Sequence, residues 1–141
     1  MRPRAFIFLA VAAAAVAAET PRSGYVLIVH PASNIVRLDR RFLADIFLRR
    51  ATRWQDDTPI RPVDLTPESP TRARFSQDVL SRSLSAVRSY WQQRIFSGQG
   101  LPPPELVNDD AVVAYVLSHP GAIGYVTPGT LLKGATIVEP N

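Results

Sequence analysis

The sequence predicts one α/β domain in which helices pack on a sheet. Two uninterrupted apolar runs, YVLIVH over residues 25–30 and AIGYV over residues 122–126, are typical of strands that are covered on both faces. Four segments between these runs place apolar residues at helical spacing, and turn-forming residues separate the segments. At 141 residues, with 46% hydrophobic and 20% charged residues, the chain has the length and composition of one soluble globular domain.

The beginning of the chain predicts a secretory signal peptide. Arg2 and Arg4 form a short basic start, residues 5–18 are an uninterrupted apolar run, and small residues stand at the end of that run. The run is shorter than the roughly 20 residues of a membrane-spanning helix. We therefore expect a signal peptide over residues 1–18, a single domain over residues 19–141, and a periplasmic or secreted product with no stable membrane insertion.

The charge balance and the lack of cysteine exclude several classes of protein. The chain has 16 basic and 12 acidic residues, and without Arg2 and Arg4 the balance is 14 against 12, or +2. Because no basic stripe with interleaved aromatic residues is present, a nucleic-acid partner is not predicted. With no cysteine, the sequence has no disulfide framework, no thiolate metal site and no cysteine for lipid attachment.

The first predicted strand leads into a helix with a capping signal. Pro31 ends the strand, residues 35–38 form a short extended piece, and Asp39 stands where a helix N-cap belongs. His30, at the end of the strand, has no His, Asp or Glu partner at the spacing of a metal site. We therefore interpret His30 as a packing or hydrogen-bonding residue.

The central segment over residues 60–75 combines a strand, a turn and the start of a helix. Residues 60–65 (IRPVDL) predict a short buried strand, in which Pro62 marks an irregular or edge position. Ser69 is at the N-cap position and Pro70 at the first helical position. Free backbone N–H groups and the positive end of a helix dipole would then lie at a sheet edge, where an anion can bind. An ordinary helix start is the alternative, and these residues alone favour it.

The rest of the chain alternates helices and strands. Helices are predicted over residues 70–80 and 84–96, a further helix begins at Asn108 or Asp109, and a last strand covers about residues 135–138. The apolar residues aligned at helical spacing are Phe42, Leu43, Ile46, Phe47, Phe75, Val79, Leu84, Val87, Trp91, Ile95, Val112, Val113, Val116 and Leu117. Those expected to be largely buried against the sheet are Phe42, Ile46, Phe47, Phe75, Val79, Val87, Trp91, Val113, Val116 and Leu117.

Motifs for catalysis are missing from the sequence. It contains no Ser/His/Asp set with a defined spacing, no GxSxG, no phosphate loop that ends in GK and no HExxH. Asp56 with Asp57 and Asp109 with Asp110 are adjacent acidic pairs, which are typical of a solvated turn or a helix cap. The chain is therefore not predicted to be an enzyme, and neither a cofactor nor a metal ion is predicted.

Several stretches together resemble a known family. The stretches IVHPASNIVRLDRRFLADIFLRRATRW, PVDLTPESPTRARF, YWQQRIFSGQGLPPPE and PGAIGYV are similar to the phosphate-type periplasmic substrate-binding proteins of ABC transporters, and more narrowly to short exported members of that kind. The resemblance covers nearly all of residues 25–138. Its most specific pieces are the GAIGYV ending and the segment that contains Leu43, Ile46, Phe47 and Trp54.

The resemblance implies both a fold and a site. The fold is a single lobe of a type II periplasmic binding protein, with helices packed on a mixed, mainly parallel sheet; full-length members bind an oxyanion between two lobes. The second lobe of the family contributes a loop that resembles RSDGSGT and corresponds to DLTPESPT here. Ser69 and Thr71 match the serine and the threonine of that loop, whereas Asp64 replaces an arginine, and Glu68 and Pro70 replace glycines.

These departures weaken the implied site. Pro70 removes a backbone N–H donor, and Glu68 places a like charge beside the anion, at a cost of about 1 kcal/mol at about 4 Å even at the dielectric constant of water. Arg72 can offset this with its forked donors, and its loss is expected to weaken binding with little change in melting temperature. We therefore predict an exported, non-enzymatic phosphate- or oxyanion-binding protein that uses Ser69, Thr71 and Arg72, alone or with a second copy. The alternative is a periplasmic accessory protein that keeps the lobe as a scaffold for a protein partner.

Overall fold

A mixed β-sheet accompanied by four α-helices forms the part of the chain that the computed structural model describes, residues 24–141. The predicted signal peptide over residues 1–18 lies outside the described residues. No helix within residues 24–141 is long and apolar enough to cross a membrane.

The main sheet has the strand β1 (Val26–Val29) at its centre. On its two sides, β1 pairs antiparallel with β6 (Ala122–Val126) and with β7 (Thr136–Pro140). The outer strands β2 (Arg37–Leu38) and β3 (Arg61–Pro62) pair parallel with β7 and β6, respectively. The order is therefore β2-β7-β1-β6-β3, and the two short strands form its edges.

The predicted strand over residues 60–65 is two short strands rather than one. After β3, which pairs with β6, the chain passes Val63 and forms β4 (Asp64–Leu65), which pairs parallel with β5 (Glu105–Leu106) in a separate two-stranded sheet. Pro62 lies in the edge strand β3, as predicted, since a proline there removes no hydrogen bond from an inner ladder. The strand β5 was not predicted, because only two residues form it.

Two helices begin at cap residues that the sequence predicts. The carboxylate of Asp39 accepts hydrogen bonds of 2.8 and 3.1 Å from the first turn of α1 (Arg40–Phe47). The side chain of Asn108 accepts a 2.8 Å bond from the first turn of α4 (Asp109–Ser118). These side chains satisfy N–H groups that have no partner within the helix, which fixes where each helix starts.

A glycine in β6 allows α4 to pack closely on the sheet. A Cβ atom at Gly124 would lie 2.7 Å from Cγ1 of Val112 in α4 and 3.0 Å from Cγ2 of Val63. A side chain at this position would therefore push the helix and the neighbouring segment away from the sheet.

The helix predicted over residues 70–80 has the predicted span but changes its type along the way. Its first part is α2 (Pro70–Phe75), and a π-helical turn (Ser76–Leu80) continues it. The buried hydroxyl of Ser76 donates a 2.7 Å hydrogen bond to the carbonyl oxygen of Arg82, beyond the end of the helix. This bond ties the wider turn to the segment that leads into the next helix.

The helix α3 (Leu84–Phe96) has the predicted bounds, but its apolar stripe is not buried along its whole length. Val87 and Trp91 are buried, whereas Ile95 is 49% exposed. Ile95 lines an open cavity, so the last residue of the apolar stripe of α3 is not covered by another element. Three other residues aligned at helical spacing are only partly buried: Phe42, Leu84 and Leu117.

Four aromatic rings form the centre of the core. Phe75 of α2 stacks on Tyr125 of β6 with ring centroids 4.0 Å apart, and Phe47 of α1 lies 4.6 Å from Phe75. Tyr25 meets Phe75 edge-on at 5.3 Å. The contacts join α1 and α2 to the sheet, so the faces predicted for these two helices do meet there, whereas Val87 and Trp91 of α3 are buried outside this core.

The strand pairings confirm the predicted mixed, mainly parallel class when the five-stranded and the two-stranded sheet are taken together. Of the five pairings in residues 24–141, the three of β2 with β7, β3 with β6 and β4 with β5 are parallel. The two pairings of β1 are antiparallel.

Candidate functional site

The predicted anion site lies where β4 turns into α2. Ser69 occupies the N-cap position with extended backbone angles (φ −74°, ψ 124°), and Pro70 is the first helical residue. The backbone N–H of Ser69 donates a 3.0 Å hydrogen bond to the carbonyl oxygen of Thr66, which closes the turn. The hydroxyl of Ser69 makes no capping bond to the helix. The cap position was predicted correctly, but the capping interaction is absent.

Thr71 is buried and contacts the end of the main sheet. Its Oγ1 lies 2.7 Å from Oγ1 of Thr127, the residue that follows β6. The backbone N–H of Thr127 in turn donates a 2.9 Å hydrogen bond to the carboxylate of Asp109, at the start of α4. The first turns of α2 and α4 and the end of β6 therefore meet at Thr127, and the hydroxyl of Thr71 already has a partner there.

Arg72 is engaged by the protein itself. Its Nη1 donates a 2.9 Å hydrogen bond to the carbonyl oxygen of Leu65 and also contacts the carboxylate of Glu105 in an ion pair. The side chain of Arg72 is only 11% exposed, against 40% for Glu105. The ligand role of Arg72 stays a prediction, but its burial changes one expectation. Loss of the side chain should now lower stability, because the buried carbonyl oxygen of Leu65 would lose its donor and the buried Asp64 would lose a nearby positive charge.

A buried carboxyl group lies beside this ion pair. Asp64 accepts a 2.7 Å hydrogen bond from the hydroxyl of Tyr125. Burial raises the pKa of Asp64 to about 6, although the charge of Arg72 and the bond from Tyr125 act in the opposite direction. Burial, together with the charge and hydrogen bond of Asp64, also raises the pKa of Tyr125. Asp64, at the position where the family has an arginine, is thus an interior residue.

We call four side chains the buried network: Asp64, Arg72 and Tyr125, which are buried, and Glu105, which joins them from the surface. From the sequence, Asp64 is only a departure from the family loop, and no role is predicted for Glu105 or Tyr125. Arg72 and Glu105 are 33 residues apart, and Asp64 and Tyr125 are 61 apart. A tyrosine within an apolar strand predicts burial, so no local signal could have revealed these partners.

The donors that remain near the start of α2 are few. The N–H groups of Thr71 and Arg72 belong to the first helical turn and have no acceptor within the helix. Ser69 adds a hydroxyl group, Pro70 adds no N–H, and the exposed Glu68 adds a negative charge. Chemically, this arrangement can hold a small anion only weakly.

No metal site accompanies these donors in the part of the chain that is described. Within residues 24–141, no three His, Asp or Glu side chains are grouped so that they could hold a metal ion.

A cavity of about 450 Å³ opens next to the buried network, and Arg88, Trp91 and Ile95 of α3 form its far wall. This cavity thus separates α3 from the two-stranded sheet.

Comparison with known proteins gives one family and one kind of relative. A family model described as a PBP superfamily domain matches residues 15–140. The phosphate-binding protein PstS from two strains of Xylella fastidiosa is 32% identical to the chain over 107 residues. The match covers 64% of this chain but only 28% of each relative, so the chain spans less than a third of the relatives' length.

Solved structures share the fold at low sequence identity. The structure superimposes on an ABC-type phosphate transport receptor from Vibrio cholerae with a TM-score of 0.66 and 18% identity, over 83% of this chain and 46% of that one. PstS from Borrelia burgdorferi gives a TM-score of 0.64 at 16% identity, over 84% and 47% of the two chains. The chain thus spans about half of these structures. The predicted resemblance and the predicted single-lobe fold are confirmed.

Proposed function

The chain belongs to the PBP superfamily, and from this premise we propose that it is an exported, non-enzymatic phosphate- or oxyanion-binding protein. The proposal is supported by the 32% identity to phosphate-binding PstS and by the fold shared with phosphate transport receptors. Export rests on residues 1–18, which lie outside the described residues. On this basis the protein works in the periplasm or outside the cell.

We place the ligand at the start of α2, beside Ser69, Thr71 and Arg72. One observation supports this location more than any other. The three other α-helices of residues 24–141 begin at Asp39, Ser83 and Asn108, whose side chains accept hydrogen bonds from their own first turns. Ser69 alone among these four caps makes no such bond. Its hydroxyl and the first-turn N–H groups are therefore available to an anion.

The proposed roles of the three residues differ. Ser69 offers its hydroxyl, and Thr71 and Arg72 offer their backbone N–H groups. Nη1 of Arg72 is already used by Leu65 and Glu105, so the guanidinium group would offer an anion its remaining N–H donors or exchange Glu105 for it. In the resting arrangement it holds α2 against β4 through Leu65. We therefore expect weak binding, at millimolar ligand concentrations.

The proposal includes a partner, because the described residues form a single lobe. The family resemblance implies a ligand enclosed between two lobes. A second copy of this chain or another periplasmic protein would then supply the second wall.

A second candidate function is a scaffold that has lost anion binding. It is favoured by the buried network and by the contact between Thr71 and Thr127, since both consume side chains that could otherwise face a ligand. In this case the lobe serves as a periplasmic accessory protein that binds a protein partner.

Calorimetric titration with phosphate and with sulfate separates the two functions. The protein is purified from the exported fraction, where its mass shows whether residues 1–18 have been removed. The wild type is expected to give saturable heat at millimolar anion. Ser69→Asp is expected to abolish that heat, because a carboxylate would occupy the position of the anion, while the fold is kept because Asp caps helices well.

Ser83→Asp is the matched control, since Ser83 caps α3 far along the chain from the proposed site. This variant should bind the anion like the wild type. If the wild type gives no saturable heat with either anion, the anion-binding function is wrong and the scaffold function remains.

A further inference from the structure

A large cleft lies at the end of the main sheet opposite to the start of α2. Its volume is about 1,010 Å³, at the upper end of the range of about 300–1,000 Å³ for ligand pockets. His30 at the end of β1 and Gly121 before β6 line its base, while residues 33–39 and 53–61 form its two walls. The start of α2 follows β4 at the other end of these strands, so this cleft is separate from the proposed phosphate site.

Each wall carries an arginine without a partner. Arg37 belongs to β2 and Arg61 to β3, and both line the cleft. Within residues 24–141, neither guanidinium group makes a hydrogen bond or an ion pair. A third lining arginine, Arg53, is already used, because it donates a 2.8 Å hydrogen bond to the carbonyl oxygen of Asp57.

The carboxylates that line the cleft are held by their own segments. Asp39 caps α1 and accepts two of its first-turn N–H groups. Asp56 accepts hydrogen bonds of 3.1 and 2.6 Å from the N–H and the hydroxyl of Thr58, and these bonds lower the pKa of Asp56. Neither carboxylate makes an ion pair with Arg37 or Arg61, so both arginines remain free to bind an external anion.

The part of the cleft between the charged walls is largely apolar. The rings of Phe42 and Trp54 lie edge to face with centroids 6.2 Å apart, and Ile35 and Pro59 extend this surface. The indole N–H of Trp54 donates a 3.0 Å hydrogen bond to the carbonyl oxygen of Gly121, which fixes the ring. This apolar surface is therefore held in place and is suited to the hydrocarbon part of a ligand.

The separation of the two arginines limits what the cleft can hold. β2 and β3 are the opposite edges of the five-stranded sheet, four strand spacings or about 19 Å apart at about 4.8 Å per spacing. The register also places Arg37 beside Glu139, near the start of β1, and Arg61 beside Ala122, near its end, so their backbones are more than about 19 Å apart. A compact anion such as phosphate can contact only one wall. We propose that the cleft binds an elongated organic dianion, with one carboxylate at Arg37, the other at Arg61, and an apolar middle on Phe42 and Trp54.

The two tryptophans provide a site-specific test. Trp54 lines this cleft and Trp91 lines the smaller cavity beside α3, so ¹⁵N-labelled protein reports on each through its indole N–H signal. Suberate, an eight-carbon dicarboxylate, should shift the Trp54 signal saturably and leave the Trp91 signal unchanged. Inorganic phosphate should not shift the Trp54 signal, whether or not it binds near Ser69.

Variants and related compounds decide whether the charges matter. Arg37→Gln and Arg61→Gln should each weaken suberate binding about tenfold, the effect of one lost charge-assisted contact. The matched control is Arg41→Gln, which removes an exposed arginine of α1 that does not line the cleft. This variant should bind suberate like the wild type.

Several outcomes would overturn the proposal. The first is a Trp54 signal that does not respond to suberate at millimolar concentration. The others are a response to 1,8-octanediol as large as the response to suberate, or an affinity for octanoate, which has one carboxylate, as high as the affinity for suberate. An equal loss of affinity in Arg41→Gln would show that only net charge matters, and would overturn it as well.

Discussion

The start of α2 and the cleft beside His30 differ in how their arginines are used. At the start of α2, Arg72 is buried and bonded to Leu65 and Glu105. In the cleft, Arg37 and Arg61 are exposed and make no hydrogen bond or ion pair within residues 24–141. In the loop that matches the family's ligand loop, the arginine therefore stabilises the fold. In the cleft, two arginines have no partner within residues 24–141.

Burial explains this difference. A guanidinium group removed from water needs carbonyl or carboxylate partners, because an uncompensated buried charge costs several kcal/mol. An exposed guanidinium group is solvated, so it gains little from an ion pair and can remain single. Arg72 falls in the first case and Arg61 in the second, so a match to a ligand motif does not by itself mean that the side chain faces the ligand.

The largest effect is expected from removing the buried arginine. Arg72→Ala should lower the free energy of unfolding by about 3 kcal/mol, because it leaves the buried carbonyl oxygen of Leu65 without its donor and removes the positive charge beside the buried Asp64. Arg61→Ala, the matched change in the cleft, should cost less than about 0.5 kcal/mol. Urea unfolding of both variants measures the contrast. Equal losses would show that the two regions do not differ in the way described.

A second effect concerns pH and the buried carboxyl group of Asp64. Its pKa is about 6 in the folded state, above the ordinary value of 3.8, so the folded state binds this proton more tightly than the unfolded state does. The stability that Asp64 contributes is therefore present below about pH 4 and is lost as pH rises to about 6. The loss should be about 2 kcal/mol, somewhat below the full value for a shift of about two pKa units.

Asp64→Asn tests the assignment of this pH dependence. The asparagine carbonyl can still accept the hydrogen bond from Tyr125 but does not ionise. The free energy of unfolding of the variant should fall less than that of the wild type between pH 4 and pH 7. If both proteins show the same decrease, another group causes it.

Local signals in the sequence predicted the frame of the fold. Asp39 and Asn108 mark the starts of α1 and α4, because each is a good cap before an apolar helical pattern. The run over residues 122–126 is the strand β6, because a continuous apolar run needs cover on both faces. Short-range rules were sufficient where the controlling interaction is itself local.

The remaining features depend on contacts between distant segments. The bonds of Arg72 to Glu105 and of Tyr125 to Asp64 join strands and a helix that are far apart in sequence. Ile95 continues the apolar stripe of α3 but faces an open cavity, since no element of the fold covers that end of the helix. Spacing along a helix predicts which residues share a face, but it does not predict how far the neighbouring element extends.

The smallest effect is expected at the predicted site itself. Ser69→Ala should change the free energy of unfolding by less than about 0.5 kcal/mol, because the hydroxyl makes no capping bond. Asn108→Ala and Ser83→Ala, which remove side chains that do cap helices, should each cost about 1 kcal/mol in the same urea experiment. A cost near 1 kcal/mol for Ser69→Ala would mean that Ser69 caps α2 in solution and that its hydroxyl is not free. If instead Ser69→Ala leaves stability unchanged and weakens phosphate binding, the hydroxyl contacts the ligand and does not cap the helix. The start of α2 would then bind an anion even though the side chains of Thr71 and Arg72 are buried there.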